Sequence, residues 1–171
     1  MLNIPNHIEI EWEENHKSLE YIYEDFKDTK KIEEWKNCGF DLEQLKIGLH
    51  QLKKPYDWMK CVTEVIDNLP IKNPAYCIHC LTPGNFLPSH SDLYGYYAKQ
   101  NNINDLNKII RIIVFLDDAV PGQLLIVDNT CHINYKKGDV AYWTGQTAHL
   151  AANLSEVNRY TLQITGTLVN D

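Results

Sequence analysis

From residue 74 onward the side chains alternate with a period of two, and that change of rhythm narrows the folds open to the chain. The runs AYCIHCLT, KIIRIIVFLDD, GQLLIVD, DVAYWT and RYTLQITGTL are rich in β-branched and aromatic residues. Between them stand PGN, DDAVPGQ, KKGD and WTGQ, which are compositions of tight turns. About eight short strands with no intervening helices are predicted, which means an antiparallel sandwich or barrel of the jelly-roll kind. The polar stretch Tyr94–Lys108, at about fifteen residues, is long enough to read as a lid or binding loop.

The first 70 residues follow a helical rhythm instead. Leu19, Ile22, Tyr23 and Phe26 recur at i, i+3, i+4 and i+7, which predicts a helix from His16 to Asn37 that ends at Cys38-Gly39. Asp41 with Gln44 three residues on has the form of a capping box opening a helix through Leu42, Leu45 and Leu49. Asp57 is placed to cap Trp58–Leu69, whose Met59, Val62, Ile66 and Leu69 share a face, before Pro70 stops it. The expected design is one domain over residues 1–171: a helical flanking region, 1–70, packed outside a β core, 74–168.

Composition serves mainly to exclude. With 16 Lys+Arg against 23 Asp+Glu the net charge is −7, which weighs against a face that grips nucleic-acid phosphates. No apolar run approaches the ~20 residues that span a bilayer, so no membrane partner is expected. The opening MLNIPNHIEIEWEENHK is acidic and has no apolar stretch of the secretory type. Five cysteines, an odd number, then read as reduced thiols of a cytoplasmic protein.

Three features of the β half converge on chemistry. In extended chain, His90 and Asp92 of His90-Ser91-Asp92 point to one side while Ser91 turns away. His149 follows 57 residues after Asp92, in a strand-like segment beyond Tyr142-Trp143. Two imidazoles and a carboxylate compose the facial triad of non-haem Fe(II), which leaves three coordination positions open. The third feature is Arg159, one of only two arginines among 16 basic residues. It begins a strand in which Arg159, Thr161, Gln163 and Thr165 share one face and Tyr160, Leu162 and Ile164 the other. An interior guanidinium needs a partner. That partner is either an internal Asp or Glu, or a ligand carboxylate matched by the planar fork. Beside the triad, the ligand is the reading adopted.

The run LTPGNFLPSHSD, then RIIVFLDDAVPGQ, KKGDVAYW, His149 and RYTLQITG resembles the 2-oxoglutarate- and Fe(II)-dependent oxygenases, specifically the prolyl-hydroxylase-like members. The resemblance covers residues 75–168. It implies a double-stranded β-helix, a distorted jelly roll, with Fe(II) held by His90, Asp92 and His149. It further implies that 2-oxoglutarate chelates the iron and rests its distal carboxylate on Arg159, with Thr161 as the accompanying hydroxyl. The implied reaction consumes O2, converts 2-oxoglutarate to succinate and hydroxylates a peptidyl residue such as proline, or a small molecule. Two rivals are a cupin-like metal enzyme that does not use 2-oxoglutarate and a β-sandwich binding module without catalysis.

Cys77-Ile78-His79-Cys80 offers zinc ligands on two faces of a strand and has no second C-x-x-C, so it reads as core or surface thiols. Cys131 and His132 diverge as strand neighbours and make no nucleophile–base pair. Arg111, on a face with Ile113 and Phe115, either pairs with an acid or touches substrate. Trp143 reads as packing or as a pocket wall. Tyr94, Tyr96 and Tyr97 are candidates for a substrate mouth. His7, His16, His50 and His132 read as surface.

Overall fold

The structure, a computed structural model, describes residues 3–169. It has ten strands: β1 (Ile22–Asp25), β2 (Lys46–Leu52), β3 (Ile71–Leu81), β4 (Phe86–His90), β5 (Ile109–Phe115), β6 (Gln123–Val127), β7 (Thr130–His132), β8 (Val140–Thr144), β9 (His149–Asn153) and β10 (Arg159–Leu168). Three α-helices, α1 (Thr29–Asn37), α2 (Lys60–Asp67) and α3 (Gly95–Gln100), accompany them. The strands form a major sheet, β1-β2-β3-β10-β5-β8, and a minor sheet, β4-β9-β6-β7. Every pairing within the sheets is antiparallel. Residues 71–168 thus supply eight strands, the number read from the alternation. No helix among the described residues is long and apolar enough to cross a membrane, and all five cysteines are free.

Burial explains the pattern. β5 is buried along its whole length, so its sequence IIRIIVF is almost continuously apolar instead of alternating. Its Ile110, Ile112 and Val114 join Ile78, Leu162 and Ile164 on the outer face of the major sheet. The N-terminal segment, through Ile4, Ile8 and Trp12, the buried Met59 just before α2, and α2, through Val62 and Ile66, cover that face. The opposite face, with Leu81, Ile113 and Phe115, packs against Leu125, Val127 and Ala151 of the minor sheet. Arg111 is the one charged side chain of β5, and it lies on this inward face. The N-terminal segment is pinned at the KKGD turn, where Ile8 N–H donates to the Gly138 carbonyl (2.8 Å) and Val140 N–H to that of Asn6 (2.9 Å). A Cβ on Gly138, whose φ is +90°, would stand 2.2 Å from the Ile8 carbonyl oxygen, so the close approach requires glycine.

The N-terminal region departs from the helical expectation. In place of one helix from His16 to Asn37 there is a 3₁₀ turn (Asn15–Ser18), then β1, then α1. Ile22 and Tyr23, which suited a helix face, are β-formers recruited to the edge of the major sheet against Leu49 and Gly48. The helix starts only where the Asp28 carboxylate accepts the Lys31 N–H (3.1 Å), and Cys38-Gly39 ends it as expected, with Gly39 at φ +85°. Asp41 accepts from Glu43 N–H (3.0 Å) and makes one 3₁₀ turn, Leu42–Gln44. No helix follows, because the Leu45–Leu49 segment is needed to continue the sheet. Gly48 belongs there: a Cβ would come within 3.0 Å of the Tyr23 ring. The third expected helix forms as a 3₁₀ turn (Asp57–Met59) running into α2, with Met59, Val62 and Ile66 buried, although Asp57 does not cap it. The polar Tyr94–Lys108 stretch contains α3 and a 3₁₀ turn (Leu106–Lys108).

Candidate metal centre

Strand pairing brings the two histidines together. His90 closes β4 and His149 opens β9, and they are direct partners across the ladder of the minor sheet. Their ring centroids are 4.3 Å apart. Asp92, two residues past the end of β4, turns its carboxylate to the same point, with Oδ2 3.8 Å from His149 Nε2. One donor atom from each of the three lies within 4.8 Å of the others, a group that could hold a metal ion. Among the described residues it is the one such group of three or more.

Backbone contacts fix how the imidazoles present themselves. His90 Nδ1–H donates to the Pro88 carbonyl (2.8 Å) and His149 Nδ1–H to that of Thr147 (3.0 Å). Each Nε2 therefore keeps its lone pair, and the bond behind each ring sets its orientation, as metal-binding histidines require. Burial lowers the pKa of His90 and takes that of His149 down to about 4, so both are neutral at neutral pH. Asp92 is held below the usual carboxylate range: burial opposes its charge, but Arg111, His149 and His90 together outweigh burial. Phe26 (4.8 Å between centroids) and Trp35 (6.3 Å) stand edge-on to His90, and Trp143 packs on His149 (4.5 Å).

Arg111 pairs with an acid, and the acid is Asp92. Its Nε and Nη2 both donate to Asp92 Oδ2 (3.1 and 2.9 Å), its Nη1 donates to Thr165 Oγ1 (2.6 Å), and Tyr94 lies under the guanidinium at 5.1 Å. Arg159 is different. It is 5% exposed, its Nε donates to Tyr135 Oη (3.2 Å), and it meets no carboxylate among the described residues. Its guanidinium lies 5.6 and 5.7 Å from the Phe115 and Tyr135 rings, and Nη2 is buried without a partner. The internal ion pair that would have made it a purely structural residue is absent from the described residues. Arg159 and Thr161 share with the His90–Asp92–His149 group a cavity of about 230 Å³, whose wall also includes His79, Trp143 and Gln163.

Several lesser expectations are corrected. His16 is not a surface residue: it is 0% exposed, with Nε2 3.2 Å from Asp117 Oδ2 and its ring on Tyr160. The three tyrosines do not act together. Tyr94 is buried beneath Arg111 at a left-handed φ of +51°, Tyr97 bonds Thr167 and the Asn73 carbonyl, and only Tyr96, 77% exposed, faces outward. Cys77 and Cys80 are buried thiols, Cys77 pushed up to about 12 by burial. Sequence reasoning missed His79 and the Phe26–Trp35 wall. The inward parity of β3 opposite Thr161 signals His79, whereas Phe26 reaches His90 only through long-range packing.

These imidazoles make a pH prediction for the metal-free protein. His79, lowered to about 3 by burial, and His149, at about 4, take up protons later in the folded chain than their ordinary value of 6.5. The unfolded chain then binds more protons below pH 6.5, so their contribution to stability is complete above that pH and is lost as pH falls toward 4. Thermal unfolding without metal is expected to show Tm falling through this window, and falling less steeply in His149→Gln. A parallel decline in the two proteins contradicts the assignment.

No protein-family model matches the chain, and no curated protein matches it in sequence. Among solved structures it is similar to a Pseudomonas putida prolyl-4-hydroxylase, with TM-score 0.57 and 11% identity over 91% of this chain and 96% of that one. A predicted oxalate decarboxylase from Thermotoga maritima gives TM-score 0.44 and 12% identity over 72% of this chain and 82% of that one. A Cupin 2 conserved barrel domain protein from Salinispora arenicola gives 0.41 and 13%, over 70% and 74%. At such identities the likeness is one of fold: the chain is a mainly β protein with the jelly-roll, double-stranded β-helix architecture.

Proposed function

We propose that this chain is a 2-oxoglutarate- and Fe(II)-dependent oxygenase, a hydroxylase of a peptidyl residue such as proline or of a small molecule. The observation that carries the reading is Arg159, a buried guanidinium with an unpartnered Nη2 in the cavity that holds the His90–Asp92–His149 group. Burying a charge without a partner is costly, and a ligand carboxylate supplies the partner in a planar, two-bond geometry. The donor set fits Fe(II), since two neutral imidazoles and one carboxylate leave three positions for other ligands.

Charge supports a dianionic ligand. With neutral imidazoles, the cavity carries Asp92 against Arg111 and Arg159, and a bound dication adds to that positive excess. In this reading Arg159 and Thr161 hold the distal carboxylate, and Arg111 fixes Asp92 so that the carboxylate does not swing away. Trp143, Ile113, Leu125 and Phe26 give the cavity apolar walls that keep bulk water from the reacting atoms. When bound, iron with 2-oxoglutarate and O2 supplies oxidative decarboxylation to succinate and CO2 together with oxidation of a C–H bond. Similarity in fold to a prolyl-4-hydroxylase over nine-tenths of the chain supports a peptidyl proline as the first substrate to try. A cupin-like enzyme without 2-oxoglutarate would need another anionic ligand to partner Arg159.

The test is chemical. Protein supplied with Fe(II), 2-oxoglutarate and O2 is expected to form succinate, slowly without a primary substrate, and not when the metal is chelated. Absence of both succinate and 2-oxoglutarate binding overturns the reading.

A further inference from the structure

β1 and β2 are antiparallel neighbours, and a loop of about 2–5 residues is enough to join such strands. The chain uses twenty, residues 26–45, and builds α1 and a 3₁₀ turn from them. This connection sets Phe26 against the His90 ring at 4.8 Å, with Trp35 4.9 Å from Phe26. At its base lies a second cavity, of about 290 Å³, beside the one that holds the metal ligands. Phe26 lines both cavities and is the one residue they share.

The second cavity has an apolar floor and a charged rim. Phe26, Ile32, Leu42 and Leu45 make the floor, and the exposed Asp25, Glu43 and Lys46 make the rim. Other acids nearby are engaged: Glu24 and Glu34 pair with Lys27 and Lys31, and Asp28 and Asp41 accept backbone N–H groups. Asp25 and Glu43 form no ion pair with a described residue. Lys46 stands opposite Asp25 in the β1–β2 ladder but bridges to neither acid, so the rim keeps negative charge in excess. An apolar well with unpaired carboxylates at its mouth complements a long basic side chain, whose methylenes bury while its charged head stays at the surface. The Phe26 partition decides what carries that side chain. A free basic amino acid or a polyamine fits one cavity or the other. Extended polypeptide sets side chains about 6.6–6.8 Å apart at i and i+2, enough to straddle one aromatic ring.

We propose that the primary substrate is a polypeptide with a lysine or arginine close in sequence to the oxidised residue. The Asp25–Glu43 pocket receives that basic side chain while the target residue enters the metal cavity on the other side of Phe26. The proposal rests on the reading of the site as that of a 2-oxoglutarate-dependent oxygenase, and it names the substrate class.

The experiment titrates protein loaded with Mn(II) and 2-oxoglutarate, without oxygen, into fluorescein-labelled peptides and reads their anisotropy. The peptides share a central proline in an alanine background and carry lysine, glutamine or glutamate two residues to either side of it. The lysine peptide is expected to bind about tenfold more tightly than the glutamine one, the effect of a hydrogen bond to a charged group, and the glutamate peptide more weakly still. Glu43→Lys should abolish the preference for lysine and improve binding of the glutamate peptide, with Mn(II) and 2-oxoglutarate affinities within about twofold of wild type. Glu156→Lys, an equal change of charge on the exposed β9–β10 turn, should leave the preference intact, which separates the pocket from the general attraction of an acidic chain for cations. The proposal is overturned if the peptides bind alike or not at all, if Glu43→Lys keeps the preference, if Glu156→Lys loses it equally, or if acetyl-lysine amide binds as tightly as the lysine peptide. If wild-type protein binds Mn(II) but no 2-oxoglutarate, the site reading fails and this proposal falls with it. Binding of 2-oxoglutarate without discrimination between the peptides fails this proposal alone.

Discussion

His90→Ala is expected to lose Mn(II) binding by at least about 100-fold, beyond the effect of losing an outer-shell partner, and to form no succinate, while keeping the wild-type far-ultraviolet spectrum. His90 contributes a ring and one backbone hydrogen bond at the end of β4, and little of the core depends on it. Asp92→Ala should abolish binding equally but behave differently as a folded protein. It strips Arg111 of the carboxylate that receives two of its N–H groups. Stranding a buried charge in this way costs roughly 3–5 kcal/mol, so Asp92→Ala should unfold at clearly lower temperature than His90→Ala. Asp92→Asn, which still offers Arg111 an oxygen, should recover much of that stability without recovering the metal. Wild-type metal affinity in His90→Ala or Asp92→Asn would remove these residues from the ligand set.

Arg159→Met should have opposite effects on co-substrate and on stability. Loss of a two-bond, charge-assisted contact is expected to weaken 2-oxoglutarate by about 100-fold, with Mn(II) affinity within about twofold of wild type. The same change removes a guanidinium whose Nη2 is buried and unpartnered, so the metal-free, ligand-free protein should become more stable, by about 1–4 kcal/mol if it follows the range seen for buried ion pairs replaced by apolar groups. Tyr135 retains a partner, since its hydroxyl also donates to Gln123 Oε1 (3.0 Å). A residue that costs stability in the empty protein and holds the ligand in the loaded one is a binding residue. Unchanged 2-oxoglutarate affinity would send the search for the carboxylate anchor elsewhere, and Arg111 is a poor substitute because Asp92 and Thr165 already engage it.

The sequence made some of this legible, for physical reasons. Strand residues obey a strict parity, so the sharing of a face by Arg159, Thr161, Gln163 and Thr165, and of the other by Tyr160, Leu162 and Ile164, survives into the structure without change. The His-x-Asp spacing likewise survives, because extended chain aims alternate side chains to one side whatever surrounds it. Cross-strand partnership is another matter. That His149 faces His90 follows from register between strands far apart in sequence, and that Arg111 finds Asp92 follows from the packing of one sheet against the other. Helical periodicity misled at Leu19–Phe26 and at Leu42–Leu49. Four apolar residues at i, i+3, i+4 and i+7 fit a helix, but Ile22, Tyr23 and Gly48 also suit an edge ladder, and the exposed side of β3 needed one. The pairing of the buried His16 with the half-buried Asp117, 101 residues apart, left no local trace.

In the proposed function, one metal ion and one dicarboxylate occupy this cavity together, spanned by His90, Asp92 and His149 at one end and Arg159 at the other. A crystal structure of the protein with Mn(II) and 2-oxoglutarate, grown without oxygen, measures that directly. A single metal peak is expected within bonding distance of both Nε2 atoms and an Asp92 oxygen, with the ligand's far carboxylate on the Arg159 guanidinium. A metal bound elsewhere, or a ligand whose carboxylate leaves Arg159 without a partner, would contradict it.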